Sequence, residues 1–169
     1  MRKNFWSFFI SMPATVLIYM PLILLWLEYR QWPLAGFSWW RYGAAFVLLW
    51  GGVIFCLWAY FSLMREGEAE VKNFRLNSRK LVTEGPYRFV RNPMALGTGA
   101  ILAGEALYFG SWYIFIWALV VIEVMSYYIT HVEEYKLANK FGQSYINYKL
   151  DVGKWWPRKI IFKEWLRRK

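Results

Sequence analysis

Two stretches of the chain carry no charged residue at all: residues 5–27, FWSFFISMPATVLIYMPLILLWL, and residues 42–64, YGAAFVLLWGGVIFCLWAYFSLM. A helix of about 20 such residues crosses the ~30 Å hydrocarbon layer of a bilayer, and in that medium only a helix or a closed barrel satisfies its own backbone. Each stretch is therefore expected to be a membrane span. The first reads poorly as a cleaved signal peptide, because the run is too long, Pro13 and Pro21 interrupt it, and no small-x-small site follows. Arg41 and Arg65 bracket the second. From Met94 to Val132 the chain is again mostly apolar, too long for one crossing but suited to a helical hairpin that turns at Gly110-Ser111. That gives a short third span at about 94–109 and a full-length fourth at about 112–130. The expected fold class is thus an all-α integral membrane protein of about four transmembrane helices, the third and fourth forming the hairpin, in a single domain over residues 1–169.

Charge placement supports that count. Of the 21 lysines and arginines, all but Arg30 and Arg41 fall on one face if the chain crosses four times, as the positive-inside rule requires. Both termini and the second loop are then cytoplasmic. The net charge of +10 needs no nucleic acid as a partner: a basic rim facing anionic membrane lipids is sufficient. No obvious targeting segment is present, which favours a bacterial inner membrane. Cys56, the lone cysteine, lies inside the second span and excludes an intramolecular disulfide; it reads as packing. No spacing of histidine, cysteine and carboxylates resembles a structural zinc site. Gly97-Thr98-Gly99 echoes a dinucleotide loop but lacks a preceding strand, so Gly97, Gly99, Ala100, Ala103 and Gly104 read instead as a small-residue face for close helix packing.

The polar chemistry gathers in two cytoplasmic segments. The first, REGEAEVKNFRLNSRKLVTEGPYRFVRNP, is expected to start as a mixed-charge helical extension of the second span and to break at Glu84-Gly85-Pro86. Pro93 biases Asn92 away from helix and opens the third span. Between those stops Tyr87, Arg88 and Arg91 are held in a short stiff segment, available either to a ligand or to lipid phosphates by snorkelling. The second segment, THVEEYKLANKFGQSYINYKLDVGKWWP, continues the fourth span, with Val132, Tyr135, Leu137, Phe141, Tyr145 and Tyr148 on an apolar side and Glu133 and Glu134 just beyond the membrane. That glutamate pair is either solvated charge or a binder of amino and hydroxyl groups. His131 reads as an interfacial anchor. Glu105 and Glu123 lie inside the proposed spans, where an ionised carboxylate is costly, and rank below the cytoplasmic cluster. The ending KWWPRKIIFKEWLRRK is expected to be an interfacial amphipathic segment.

The pattern LVTEGPYRFVRNPMALG, followed after the hairpin by VEEYKLANKFGQSYINYKLDV and WWP, resembles the integral membrane methyltransferases that include isoprenylcysteine carboxyl methyltransferase and the related phospholipid N-methyltransferases. The likeness covers about residues 79–157. It implies S-adenosylmethionine as cofactor, bound at the cytoplasmic interface, and a hydrophobic or lipidated acceptor arriving from the bilayer. It further implies that Leu81 and Val82 line the cofactor site, that Tyr87 contacts it, that Asn92, Pro93, Met94 and Ala95 form the binding stretch at the hairpin's mouth, and that Glu133 closes it from the opposite side. Arg88, Arg91 and Glu134 would shape the loop or meet substrate; no catalytic residue is singled out. This chain reads Arg91-Asn92-Pro93 where most relatives read RHP, Ala95 where an aromatic is usual, and Ile129 where prenylcysteine methyltransferases carry arginine. The missing arginine argues against a carboxylate acceptor and leaves a lipid amine or thiol. An NADPH-dependent membrane reductase of the sterol reductase type, or a non-catalytic lipid-binding or partner-binding relative, remains an alternative, and oligomeric state stays open.

Overall fold

A computed structural model describes residues 14–31, 39–68, 70–72 and 75–157. A wide turn at Thr15–Tyr19 leads into α1 (Met20–Gln31), followed by α2 (Trp39–Glu66), a two-stranded ribbon of β1 (Glu70–Lys72) and β2 (Arg75–Asn77), α3 (Pro93–Phe109), α4 (Trp112–Tyr128), a second wide turn at Ile129–Glu133, α5 (Glu134–Phe141) and α6 (Gln143–Asp151). The fold is helical apart from the ribbon, whose antiparallel register pairs Glu70 with Asn77. Among the described residues, two helices are long and apolar enough to cross a membrane, Trp39–Glu66 and the continuous run Trp112–Phe141. Only 22% of the apolar window of each is buried, whereas the core helix of a soluble protein would be mostly buried. Phe46, Val47, Trp50, Ile54 and Phe61 stand exposed along α2, a face that suits lipid rather than water. Thr15–Tyr29 forms a shorter apolar helix. The amphipathic ending expected beyond Pro157, and the first part of the expected first span, lie outside the described residues.

The expected helical extension of the second span stops at Glu66. Gly67 ends it, donating to the Leu63 carbonyl and accepting from the amides of Arg79 and Lys80, and Glu68 takes a positive φ of 47°. The mixed-charge stretch therefore enters the ribbon instead of another helical turn. The hairpin between α3 and α4 turns at Gly110, which holds a left-handed φ of 64°, and at Ser111, whose Oγ accepts from the Ile114 amide. Glu28, on the last turns of α1, is buried there: its carboxylate accepts from the Ser111 hydroxyl and, at 3.1 Å, from the Trp112 amide. A carboxylate at a helix start meets both the unpaired amides and the positive end of the dipole. The wide turn ahead of α1 has a local cause. Pro21 has no N–H, Met20 donates back five residues to Thr15, and the Val16 carbonyl between those registers is met by Trp117 Nε1 at 3.1 Å.

The closest helix contact joins α2 to α3. A Cβ on Gly52 would lie 2.7 Å from the Gly97 carbonyl oxygen, and one on Gly104 would lie 2.8 Å from the Leu49 side chain. Ala45, Gly52 and Ala59, seven residues apart, are all buried on α2; Gly97 and Gly104 repeat the interval on α3. Gly99 meets Ile122 on α4 instead, so the expected small-residue face serves two neighbours. A membrane-level core of Leu102, Ala118 and Val121 packs against Val16, Leu17, Trp117 and Met125. A second core, Tyr145, Tyr148 and Val152 with Leu81, Leu137, Ala138 and Phe141, lies in the polar cap. Tyr135 departs from the apolar side expected of it and is exposed.

Gly52→Leu is expected to force α2 from α3 at a cost of about 1–3 kcal/mol or more, as overpacking does. Gly51→Leu, where a Cβ meets nothing within 4 Å, is expected to leave the midpoint of detergent thermal unfolding unchanged, and comparing the two melting curves checks it.

Candidate functional site

The stiff segment between the two proline stops folds as a single tight turn over Gly85–Arg88, with Pro86 fully buried and Gly85 at φ 57°. The C-terminal part of the chain then grips it. Val90 bridges Gly153 in parallel fashion, the Arg91 amide donates to the Gly153 carbonyl at 2.9 Å, and the Tyr148 hydroxyl donates to the Tyr87 carbonyl at 2.7 Å. Asn92 caps no amide with its side chain, and Pro93 starts α3 directly after it.

Facing this loop is the extension of α4. At Ile129–Glu133 the helix widens, the Glu134 amide donating to the Ile129 carbonyl five residues back. Such a turn shifts the phase of everything after it. Glu134 consequently points inward, 6% exposed, with its carboxylate 2.7 Å from Arg91 Nη1 and 2.7 Å from Lys149 Nζ. The Arg91 side chain is 8% exposed, that of Lys149 49%. The Arg91 contact is one of charge rather than an aligned hydrogen bond, since neither Nη1 nor Glu134 Oε1 meets hydrogen-bond geometry; Arg91 Nε and the buried Asn92 Nδ2 also have no hydrogen-bond partner among the described residues. Glu133, on the same turn, stays exposed at the surface.

The Tyr87 phenol is held well above its ordinary pKa, by burial first and then by the negative charge of Glu133 and by Cys56. Tyr145 is pushed up to about 12 by burial, with Glu134 adding to the rise and Arg91 opposing it. Tyr148 is raised as well, by burial and then by Tyr87 and Tyr145. All three phenols are therefore protonated near neutral pH, and the Tyr148 hydroxyl donates its proton to the Tyr87 carbonyl.

The residues singled out in the sequence fall as follows. Leu81 packs against the Tyr145–Tyr148–Val152 core. Val82 is buried against Gly67 at the end of α2. Pro93 and Ala95 are buried, and the Met94 carbonyl accepts from Thr98 Oγ1 at 3.0 Å and from Cys56 Sγ at 3.4 Å. Arg88 is exposed, whereas Arg91 is taken up by Glu134. His131 stacks on Tyr127 with ring centroids 4.2 Å apart and has Nδ1 3.0 Å from the Tyr127 carbonyl, as an anchor would. Glu123 is exposed; Glu105 is half-buried, one carboxylate oxygen enclosed without a partner among the described residues. The pairing of Glu134 with Arg91 and Lys149, and the tether from Tyr148 to the loop, escaped the sequence reading. The aromatic spacing of Tyr145 and Tyr148 was visible there, but not what it would hold.

A family model described as phospholipid methyltransferase matches residues 40–144, from the start of α2 through the loop, the hairpin and α5 into α6. No curated protein matches the chain.

Removing one partner of a buried pair leaves an uncompensated charge and costs about 3–5 kcal/mol, whereas an exposed pair contributes less than about 1. Arg91→Met is therefore expected to destabilise the protein far more than Lys149→Met. In Arg91→Met/Glu134→Gln the loss should be smaller than the two single losses added, measurable by a double-mutant cycle of denaturant unfolding in mixed micelles.

Proposed function

Because the chain belongs to the phospholipid methyltransferase family, we propose that it transfers a methyl group from S-adenosylmethionine to a hydrophobic or membrane-embedded acceptor at the cytoplasmic interface. The observation that carries this reading, beside the family, is the closure of two polar segments on each other: the loop bearing Tyr87 and Asn92 is joined to the helix turn bearing Glu133 through the Arg91–Glu134 ion pair. The residues suit such a cofactor. Glu133 offers an exposed carboxylate for an amino or hydroxyl group, the enclosed Asn92 Nδ2 is a donor in want of an acceptor, and Tyr87 brings an aromatic face and oxygen suited to a sulfonium. By resemblance Leu81, Val82, Pro93, Met94 and Ala95 complete the wall. When bound, the cofactor supplies an electrophilic methyl group. The residues of the site then have to align donor and acceptor and keep water away, which accounts for much of the rate in an in-line displacement. Arg91 is engaged by Glu134, so its part in this reading is to shape the loop.

Membership favours methyl transfer over the reductase alternative. Ile129 is buried in the helix, where it offers nothing to a carboxylate, so a lipid amine or thiol is the preferred acceptor class over a prenylcysteine carboxylate. In the proposed topology α1, α2, α3 and α4 cross the membrane, and both termini and the polar cap are cytoplasmic, in a bacterial inner membrane. The exposed Trp39, Trp40 and Trp112 would form the aromatic belt of the opposite face.

Calorimetric titration in nanodiscs with S-adenosylmethionine and with its demethylated product is expected to give micromolar binding. Glu133→Ala and Tyr87→Ala should each weaken it by about tenfold or more, the loss of a hydrogen bond to a charged group, while size-exclusion behaviour is unchanged. Absence of binding at millimolar ligand in folded protein would overturn the proposal.

A further inference from the structure

The segment Val152–Lys154 touches both walls of the site within two residues. Gly153 is paired to Val90 and Arg91 on the loop side. Lys154, the next residue, reaches the other way: its Nζ donates to the Ser126 carbonyl and to Ser126 Oγ, each at 2.8 Å, and to Thr130 Oγ1. These oxygens lie at the end of α4 and at the opening of the wide turn that carries Glu133. Thr130 is further tied to the same Ser126 carbonyl at 2.9 Å.

The acceptors are informative. A lysine placed for charge would pair with a carboxylate, yet among the described residues none lies within ion-pair reach of Lys154; Glu134 and Glu123 act on it only at longer range. An ammonium has three N–H donors in tetrahedral array, and this one is spent on three neutral oxygens of a single helix turn. The arrangement fixes geometry more than it balances charge. Lys154 is partly buried, and its Nζ sits 5.5 Å from the Trp155 ring centroid.

We propose that Lys154 is a positioning residue: the Gly153-Lys154 strap fixes the separation between the Tyr87–Asn92 loop and the Glu133 turn, and with it the width of the site. The cofactor part of this inference rests on the function proposed above; the mechanical part does not. Loss of the ammonium loosens the wide turn relative to the loop, which the Arg91–Glu134 pair still joins, while the α2–α3 seam, to which none of these strap hydrogen bonds runs, stays as it is.

The test is hydrogen exchange on the full-length protein in nanodiscs, for wild type, Lys154→Met and Lys154→Arg, together with their affinities for S-adenosylmethionine and its demethylated product. In Lys154→Met, exchange at the Arg91 amide and across Ile129–Glu134 is expected to rise about tenfold through local opening. Affinity is expected to fall by a similar factor, with exchange along Ala45–Ala59 unchanged. Lys154→Arg, which keeps charge and donors, should restore most of both. Unchanged exchange in Lys154→Met would overturn the strap, and so would a rise that spreads equally to the α2–α3 seam. Raised local exchange with undiminished affinity would overturn its positioning role. Wild-type protein that binds neither ligand yet shows the local exchange pattern would refute the proposed cofactor and leave the strap standing.

Discussion

The close approach of α2 and α3 is the constraint from which the rest follows. In hydrocarbon, apolar side chains gain little by leaving lipid for one another, so helices associate where small residues let backbones touch. Ala45 and Gly52 against Gly104, Gly97 and Ile101 do this over one heptad. The seam ends at the polar cap, where Cys56 on α2 meets the Met94 carbonyl on α3. That contact fixes the first turn of α3 against α2, and the loop leading into α3 has Asn92 and Pro93 as its last residues. Tyr87 therefore takes its place from a helix seam that contains no polar group of the site.

The opposite wall is placed by a different device. In an unbroken helix, consecutive residues are turned by about 100° about the axis, so two adjacent glutamates cannot face one way. The wide turn at Ile129–Glu133 decides which of them turns inward. Glu134 enters the interior, where a lone carboxylate would be costly, and is met by Arg91 and Lys149. Glu133 stays exposed. The buried triad thus does structural work, docking the helix on the loop.

Much of this was legible in the sequence. An uncharged run located α2 and a mostly apolar one the hairpin, Gly110-Ser111 marked its turn, and the prolines at 86 and 93 bounded the stiff loop. Tyr87 and Glu133 were read on segments that the structure brings face to face. What periodicity could not supply was phase. A pattern read at 3.6 residues per turn has no place for a widened turn, so Glu134 could not be told from Glu133, and Tyr135 was placed on the apolar side although it is exposed. The ribbon at Glu70–Asn77 was missed for a related reason: a mixed-charge stretch carries no apolar period, and its helical reading leaned on continuity with α2, which Gly67 interrupts. The heptad of small residues on α2 was visible but was not matched to α3, because pairing is a property of two helices and neither sequence alone contains it.

Asn92 bears on what the site can do. A histidine at this position could exchange a proton near neutral pH; an asparagine can only donate and accept hydrogen bonds. Its amide nitrogen is enclosed without a partner among the described residues, a state that a buried donor normally avoids at a cost of about 1–3 kcal/mol. Burial without satisfaction is sensible for a group whose acceptor arrives with a ligand. The tyrosines around it are no better as bases, since burial holds their protons on. A reaction run here under the proposed function therefore draws on orientation and exclusion of water. Under the same proposal, a proton released by an amine acceptor passes to solvent on the exposed side of the helix.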